Sequence, residues 1–213
     1  MITETSTINF IATFSDCKTM RYSLKRTWDE TKKTACIIMS NAPLVEDIAK
    51  SDLTSMLIQN NLSVLDFGSV TCVNLFSFMC QKLNLSGEVK HLTDESNTQA
   101  ILQAVQETDI TIIAIGSLGK TYKKVAVYQN RLFNLLREYQ DKIHVICAPD
   151  GSEGHHPLSA KLRETGSWEL VKFKLPDPPP VEKEDSEIQV KDSKQSISKD
   201  KKNDKKVVPL TQS

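Results

Sequence analysis

One stretch limits the fold more than any other. Residues 109–115, Asp-Ile-Thr-Ile-Ile-Ala-Ile, form a short apolar run that Gly116-Ser117-Leu118-Gly119-Lys120 breaks. An amphipathic segment over 122–140 follows, with Val125, Leu132, Leu135, Leu136 and Tyr139 at helical spacing. A second apolar run, Ile143-His144-Val145-Ile146-Cys147, comes next. Short β-branched runs without polar alternation fit strands covered on both faces. Strand, helix and strand in succession imply parallel pairing, because a parallel strand must be reached by a crossover. The chain is therefore an α/β protein.

The rest of the sequence extends that pattern. Residues 8–13 and 20–25 flank the turn-prone Ser15-Asp16-Cys17-Lys18 and predict an N-terminal β-hairpin. Arg21, Tyr22, Arg26 and Trp28 form a basic-aromatic cluster, read as a hairpin edge with one packed tryptophan rather than a base-stacking platform. Residues 34–39 and 70–76 read as strands and 168–174 as the last one. A helix is expected over 44–59, with Glu46 and Asp47 in its first turn, Leu53, Met56, Leu57 and Asn60 on one face, and Asn60-Asn61 ending it. Another is expected over 94–107 behind an acidic N-cap. The expected architecture is a three-layer α/β/α domain over 1–174 with a mostly parallel central sheet. From Leu175 the composition turns to proline, lysine and serine, so 175–213 is expected to be a disordered tail.

Charge and cysteine usage narrow the class. Lysine plus arginine equals aspartate plus glutamate at 27 each, which argues against holding nucleic acid by bulk positive charge. The five cysteines form no Cys-x-x-Cys pair, and Cys36, Cys72 and Cys147 sit in apolar runs as small hydrophobes. No run is long enough to span a bilayer, and the polar start Met1-Ile2-Thr3-Glu4-Thr5 lacks a signal-peptide core. A cytoplasmic protein without a membrane partner is expected.

Candidate site residues come from strand ends, since open α/β sheets bind ligands at their carboxyl edge. Asn41 follows the 34–39 strand and Asn74 lies late in the 70–76 strand. Gly116, Ser117 and Lys120 follow the 109–115 strand, and Gly154-His155-His156-Pro157-Leu158-Ser159 follows the 143–147 strand. Two amides, a glycine turn and an imidazole suit a neutral hydrogen-bonding ligand such as a nucleobase, because asparagine offers a donor and an acceptor in one plane. Taken singly, each has a structural alternative: a turn at Asn41-Ala42-Pro43, backbone satisfaction at Asn74, and a packing role for one histidine.

Five separated blocks carry a family resemblance. Arg21-Tyr22-Ser23-Leu24-Lys25-Arg26-Thr27-Trp28, Ile38-Met39-Ser40-Asn41-Ala42-Pro43, Val73-Asn74-Leu75-Phe76, Ile115-Gly116-Ser117 and Gly154-His155-His156-Pro157-Leu158 occur in this order. Over roughly residues 10–173 the chain resembles the family called domain of unknown function 1643. The family's asparagine-proline-serine block stands here as Asn41-Ala42-Pro43, and its tryptophan before glycine is Ile115. A more distant similarity is to the uracil-DNA glycosylases, whose stations match Asn41, Asn74, Gly116-Ser117 with Lys123-Lys124, and His156-Pro157-Leu158-Ser159.

That resemblance implies a uracil-DNA-glycosylase-like fold and N-glycosidic bond hydrolysis on DNA or a nucleotide. His156 then donates a hydrogen bond to the departing base and Asn41 positions water at the sugar carbon. Asn74 reads the base edge, with His155 beside the pocket, and Leu158 fills the space left by a flipped nucleotide. Ser159, Lys120, Lys123 and Lys124 hold phosphate oxygens. The alternative is a non-catalytic module that binds a nucleotide or nucleic acid. No cofactor is implied.

Two decoys are set aside. His144, His155, His156 and Cys147 match no common zinc spacing, and no serine occupies a nucleophile elbow. Ala114-Ile115-Gly116-Ser117-Leu118-Gly119-Lys120-Thr121 loosely fits a phosphate loop, a second alternative as an NTPase. Alanine replaces its first glycine, and strand-like sequence through Ile115 leaves too little loop to wrap phosphates. Purified protein is expected not to hydrolyse ATP or GTP; turnover abolished by Lys120→Ala would contradict this.

Overall fold

The computed structural model describes residues 1–44, 47–85 and 88–178. Its elements are β1 (Asn9–Phe14), β2 (Arg21–Thr27), β3 (Lys33–Asn41), α1 (Leu53–Val64), β4 (Phe67–Phe76) and α2 (Glu95–Glu107). Then come β5 (Ile110–Ile113), α3 (Leu118–Thr121), α4 (Lys123–Leu135), β6 (Ile143–Cys147), α5 (Ala160–Thr165) and β7 (Glu169–Lys172). All seven strands join one sheet in the order β1-β2-β4-β3-β5-β6-β7.

The sheet is mixed, not mostly parallel. Strands β4, β3, β5 and β6 run parallel, while β1–β2, β2–β4 and β6–β7 pair antiparallel. Helix-for-strand alternation foretells parallel pairing only where a helix long enough to return the chain intervenes. The expected hairpin is present, but β2 also zips onto β4, with Leu24 opposite Cys72 and Arg26 opposite Val70. It is an interior strand rather than an edge. Between β6 and β7 the only helix is α5, whose six residues rise about 9 Å against roughly 16 Å for β6.

Alternating side chains feed two cores. Cys36, Ile38, Val73 and Leu75 pack with Ile101 and Val105 of α2 and with Leu132 and Phe133 of α4. Ala35, Ile37, Val70 and Cys72 pack with Ile58 and Leu62 of α1 and with Leu162 of α5. Period-two alternation across the sheet thus serves helices on both faces.

Helix α2 forms as its acidic start predicts. Asp94 accepts from the Asn97 backbone N–H at 2.9 Å and, with its other oxygen, from Tyr22 Oη–H at 2.9 Å. Helix α1 differs. It starts at Leu53, not Leu44, because Asp52 is the N-cap and accepts from Ser55 N–H at 2.7 Å. Asp47 instead closes a turn onto Ala49 N–H at 2.9 Å, and Glu46 lies outside the described residues. The inward face is Ile58, Asn61 and Leu62, while Leu53 and Met56 are about half exposed. Asn61 does not end the helix; its amide donates to Leu57 O at 2.9 Å.

The segment predicted as one helix over 122–140 divides into α4 and a 3-10 run at Arg137–Lys142, and α3 precedes it. Leu175, expected to open the tail, is buried against the α2–α4 core, and its N–H donates to Gln140 Oε1 at 2.9 Å. The compact unit runs Met1–Asp177. The predicted disordered tail from 179 onward lies outside the described residues. Cys36, Cys72 and Cys147 are buried as expected. Among the described residues, no helix is long and apolar enough to cross a membrane.

Gly68, at the start of β4, is required by close approach rather than by backbone angle. Its carbonyl accepts from Trp28 and Asp29 N–H groups, and an added Cβ would stand 1.8 Å from Asp29 O. Gly68→Ala is expected to lower unfolding free energy by about 3 kcal/mol in urea titration. Wild-type stability in this variant would contradict the packing.

Candidate functional site

Parallel pairing gathers four carboxyl strand ends at one edge of the sheet. Ala114 N–H donates to Ile38 O at 2.8 Å and Ala42 N–H to Phe76 O at 3.1 Å, so the chain leaving β3 and β5 stays in register. Beyond β6 the loop folds back, Gly154 N–H donating to Ile146 O at 3.0 Å. That return brings His155 and His156 to the same edge as Asn41. Gly116 sits at φ +73°, and a Cβ there would touch His156 Cβ at 3.6 Å.

Two cavities open here. One, of about 470 Å³, is bounded by β2, β3, α1 and the late loop; Arg21, Arg26, Ser40, Asn41, Asp52 and His156 are among its walls. The other, of about 590 Å³, is lined by Gly116, Ser117, Lys120, His155, His156 and Ser159 with apolar neighbours. His156 is a wall of both. The predicted residues therefore divide: Asn41 and His156 share the first cavity, while the glycine turn, Lys120, His155 and Ser159 share the second.

Four predicted residues, Asn74, Lys123, Lys124 and Leu158, line neither cavity. Asn74 is completely buried, and neither its amide nitrogen nor its oxygen has a partner among the described residues. It pairs with Met39 and lies two residues after Cys72, which puts it on the sheet face of the first cavity but beneath its wall. Lys123 starts α4 outside both, and Leu158, partly exposed, spends its N–H on His156. Ser159 has a structural task as N-cap of α5, accepting from Leu162 N–H at 3.4 Å. The loose phosphate-loop match builds no cradle, since α3 is only four residues long.

The histidines have different surroundings. His155 Nε2 lies 2.8 Å from Ser152 Oγ, which also bonds Asp150; Asp150 ion-pairs with Lys161 at 2.6 Å, which holds its carboxyl well below the usual range. His156 Nδ1 accepts from Leu158 N–H at 3.1 Å. A neutral ring that accepts at Nδ1 carries its proton on Nε2. Burial lowers the His156 pKa, partly offset by the negative charge of Asp52. His156 is thus a neutral Nε2–H donor at the cavity wall.

Asn41 is partly committed. Its Oδ1 accepts from Ser40 Oγ–H at 3.2 Å, and its Nδ2 makes only long contacts, 3.4 Å to Cys80 O and 3.5 Å to Ala42 O.

Sequence reasoning passed over the most unusual walls. Arg21 and Arg26 are each only 2% exposed. A one-residue bulge explains how both face the cavity. Thr13 pairs with Ser23 but Phe14 with Arg21, leaving Tyr22 as the extra residue. Without it, residues five apart in a strand would face opposite sides. Arg26 donates from Nη1 to Ser51 Oγ at 2.9 Å and stacks 5.2 Å over the Phe10 ring. Among the described residues both Nε atoms lack partners, and neither guanidinium ion-pairs with a carboxylate. The signal in the sequence was the basic-aromatic cluster, whose strand was taken for an edge. Asp52 falls inside the 44–59 segment whose spacing predicts a helix, so its position at a cavity wall has no local signal.

The family model described as Protein of unknown function (DUF1643) matches residues 21–158. The chain belongs to that family. The matched span of this DUF1643 protein begins at Arg21 and closes at Leu158, so it contains both arginines, Asn41, Asp52 and His156. No curated protein and no solved structure matches the chain.

Burial also holds His144 below the ordinary histidine range. The unfolded chain therefore takes up protons where these two folded rings stay neutral, so stability falls as pH drops through about 6.5. Urea titrations are expected to show unfolding free energy declining from pH 7 to pH 5, and His156→Gln to reduce that slope. A slope unchanged in the variant would contradict the buried, neutral ring.

Proposed function

We propose that this DUF1643 protein binds a nucleobase-bearing ligand in the cavity shared by Asn41 and His156, and that it cleaves an N-glycosidic bond there. One observation carries the reading: a strand-end amide and a neutral imidazole with its proton on Nε2, distant in sequence, wall a single cavity of about 470 Å³. That volume falls in the range of small-ligand sites. A uracil-DNA-glycosylase-like arrangement belongs to the same proposal. It is supported by the chain order of the stations and by their position at the carboxyl edge of parallel strands.

The chemistry follows from charge. As the bond from sugar to base breaks, the base gains negative charge, and a donor aimed at its oxygen lowers the barrier most. The Nε2–H of His156 serves this without first losing a proton. Water for the sugar carbon is held by Asn41, with Asp52 supplying the carboxylate that Asn41 lacks. Asn74 lies one layer behind and supports the wall rather than reading the base.

A second reading, binding without cleavage, is favoured by the commitments of the two polar groups. Asn41 Oδ1 is bonded to Ser40, and Asp52 Oδ1 caps α1. Base-release assays on uracil-containing DNA and on nucleoside monophosphates, run beside equilibrium binding, separate the two. Release is expected, with His156→Ala slowing it about 100- to 1000-fold while binding changes less than about tenfold. Binding with no release assigns the module, and neither binding nor release ends the nucleobase reading.

A further inference from the structure

The geometry points to a phosphate-monoester subsite formed by Arg21 and Arg26 inside the first cavity, which makes the ligand a nucleoside monophosphate rather than a free base or nucleoside. This inference rests on the nucleobase reading of the same cavity.

Two guanidinium groups at 2% exposure are costly to hold there. Buried charges in proteins are paired or bind a counter-ion, because desolvation of an isolated cation is otherwise uncompensated. Here the described surroundings supply little compensation. Arg26 has one neutral hydroxyl, Ser51 Oγ, and an aromatic face, Phe10. Arg21 has no side-chain hydrogen bond among the described residues, and its Nε is buried without an acceptor. Asp52 acts on Arg21 only through space, and its Oδ1 is taken by Ser55 N–H.

The fold also goes out of its way to pair these two residues. The Tyr22 bulge turns Arg21 onto the face of Arg26, so that like charges reinforce each other's penalty in the cavity. Such an arrangement is stable in use when an anion enters between them. The charged side chains among the cavity's described walls, Arg21, Arg26, Lys50 and Asp52, leave two net positive charges, which a phosphate monoester at about −1.5 to −2 at pH 7 matches. A phosphodiester carries half of that, so an internal nucleic-acid phosphate leaves one cation uncompensated. Arginine's planar fork suits phosphate oxygens, and Ser51, Thr54 and Ser55 line the same cavity as further donors.

The test uses the full chain and four probes: inorganic phosphate, uridine, uridine monophosphate, and a short uracil-containing oligonucleotide without terminal phosphates. Calorimetry is expected to show the monophosphate binding on the order of 100-fold tighter than the nucleoside. Saturating inorganic phosphate is expected to raise Tm by roughly 5–10 °C at constant ionic strength. In Arg21→Met the affinity ratio falls to near one. The ligand-free variant melts no lower than wild type, because an uncompensated cation has been removed. Should that variant not fold, Arg21→Lys keeps the charge without the fork, and its ratio is expected to fall about tenfold.

Nucleoside and monophosphate binding equally to wild type overturns the subsite and leaves the nucleobase reading standing. Phosphate binding without any nucleoside binding does the reverse. Binding of the oligonucleotide as tightly as the monophosphate also overturns the monoester assignment. A ligand-free Tm lowered by more than about 5 °C in Arg21→Met, with the affinity ratio kept, marks Arg21 as structural and overturns it as well.

Discussion

Strand β3 is held by parallel partners on both sides, β4 on one and β5 on the other, and Ala35 through Ile38 have no exposed surface at all. Everything at the site depends on that double pairing. A strand flanked in this way presents alternate side chains to two buried layers, and β3 is apolar from Ala35 through Met39. Polarity therefore begins at Ser40 and Asn41, where β3 leaves the core. Parallel direction then ensures that the exits from β4, β5 and β6 fall at the same edge. The late loop is drawn back to meet them by its hydrogen bonds to Ile146 O.

The antiparallel flank adds what a purely parallel sheet would lack. Because β2 enters from a hairpin, its residues reach the cavity from the opposite direction to β3. The bulge at Tyr22 then places two arginines on one face. Hydrophobic burial in the two cores supplies the stability against which these cations are held. Removing Cys72 from solvent beside them has a visible electrostatic counterpart: burial pushes its thiol up to about 11, and the neighbouring arginines pull the other way. Among its described walls the cavity thus combines a low-dielectric setting, fixed positive charge, a neutral imidazole donor and the Asp52 carboxylate.

Much of the fold could be read directly from residue order. Strand β6 was predicted at its observed bounds, and α2 began at its acidic cap, because a five-residue apolar run and an N-cap are local signals. Helix α1 begins at Leu53 because Asp52 caps it, and its stripe is turned from the expected one: Leu53 and Met56 are half exposed, while Ile58 and Leu62 are buried with Leu57 packed beside them. Local periodicity cannot say which of two faces will find a partner. Asn41 and His156 were legible as strand-end polar residues, but their sharing one cavity without Lys120 or Ser159 was not. Arg21 and Arg26 were visible only as a charged cluster, since nothing local distinguishes a solvated arginine from a buried one.

The order of apolar runs, the caps and the glycine breaks settled that this chain builds an α/β sheet with polar residues collected at its carboxyl edge. Those are short-range effects, set by backbone sterics and by the spacing of apolar side chains. Only the assembled sheet decided that β2 is interior, that the flanks are antiparallel, and that a bulge aims two arginines into the cavity of Asn41 and His156. Those outcomes depend on pairings between strands some fifty residues apart, as between Leu24 and Cys72. Burial and the electrostatics that follow from it exist only once such distant segments have closed on one another.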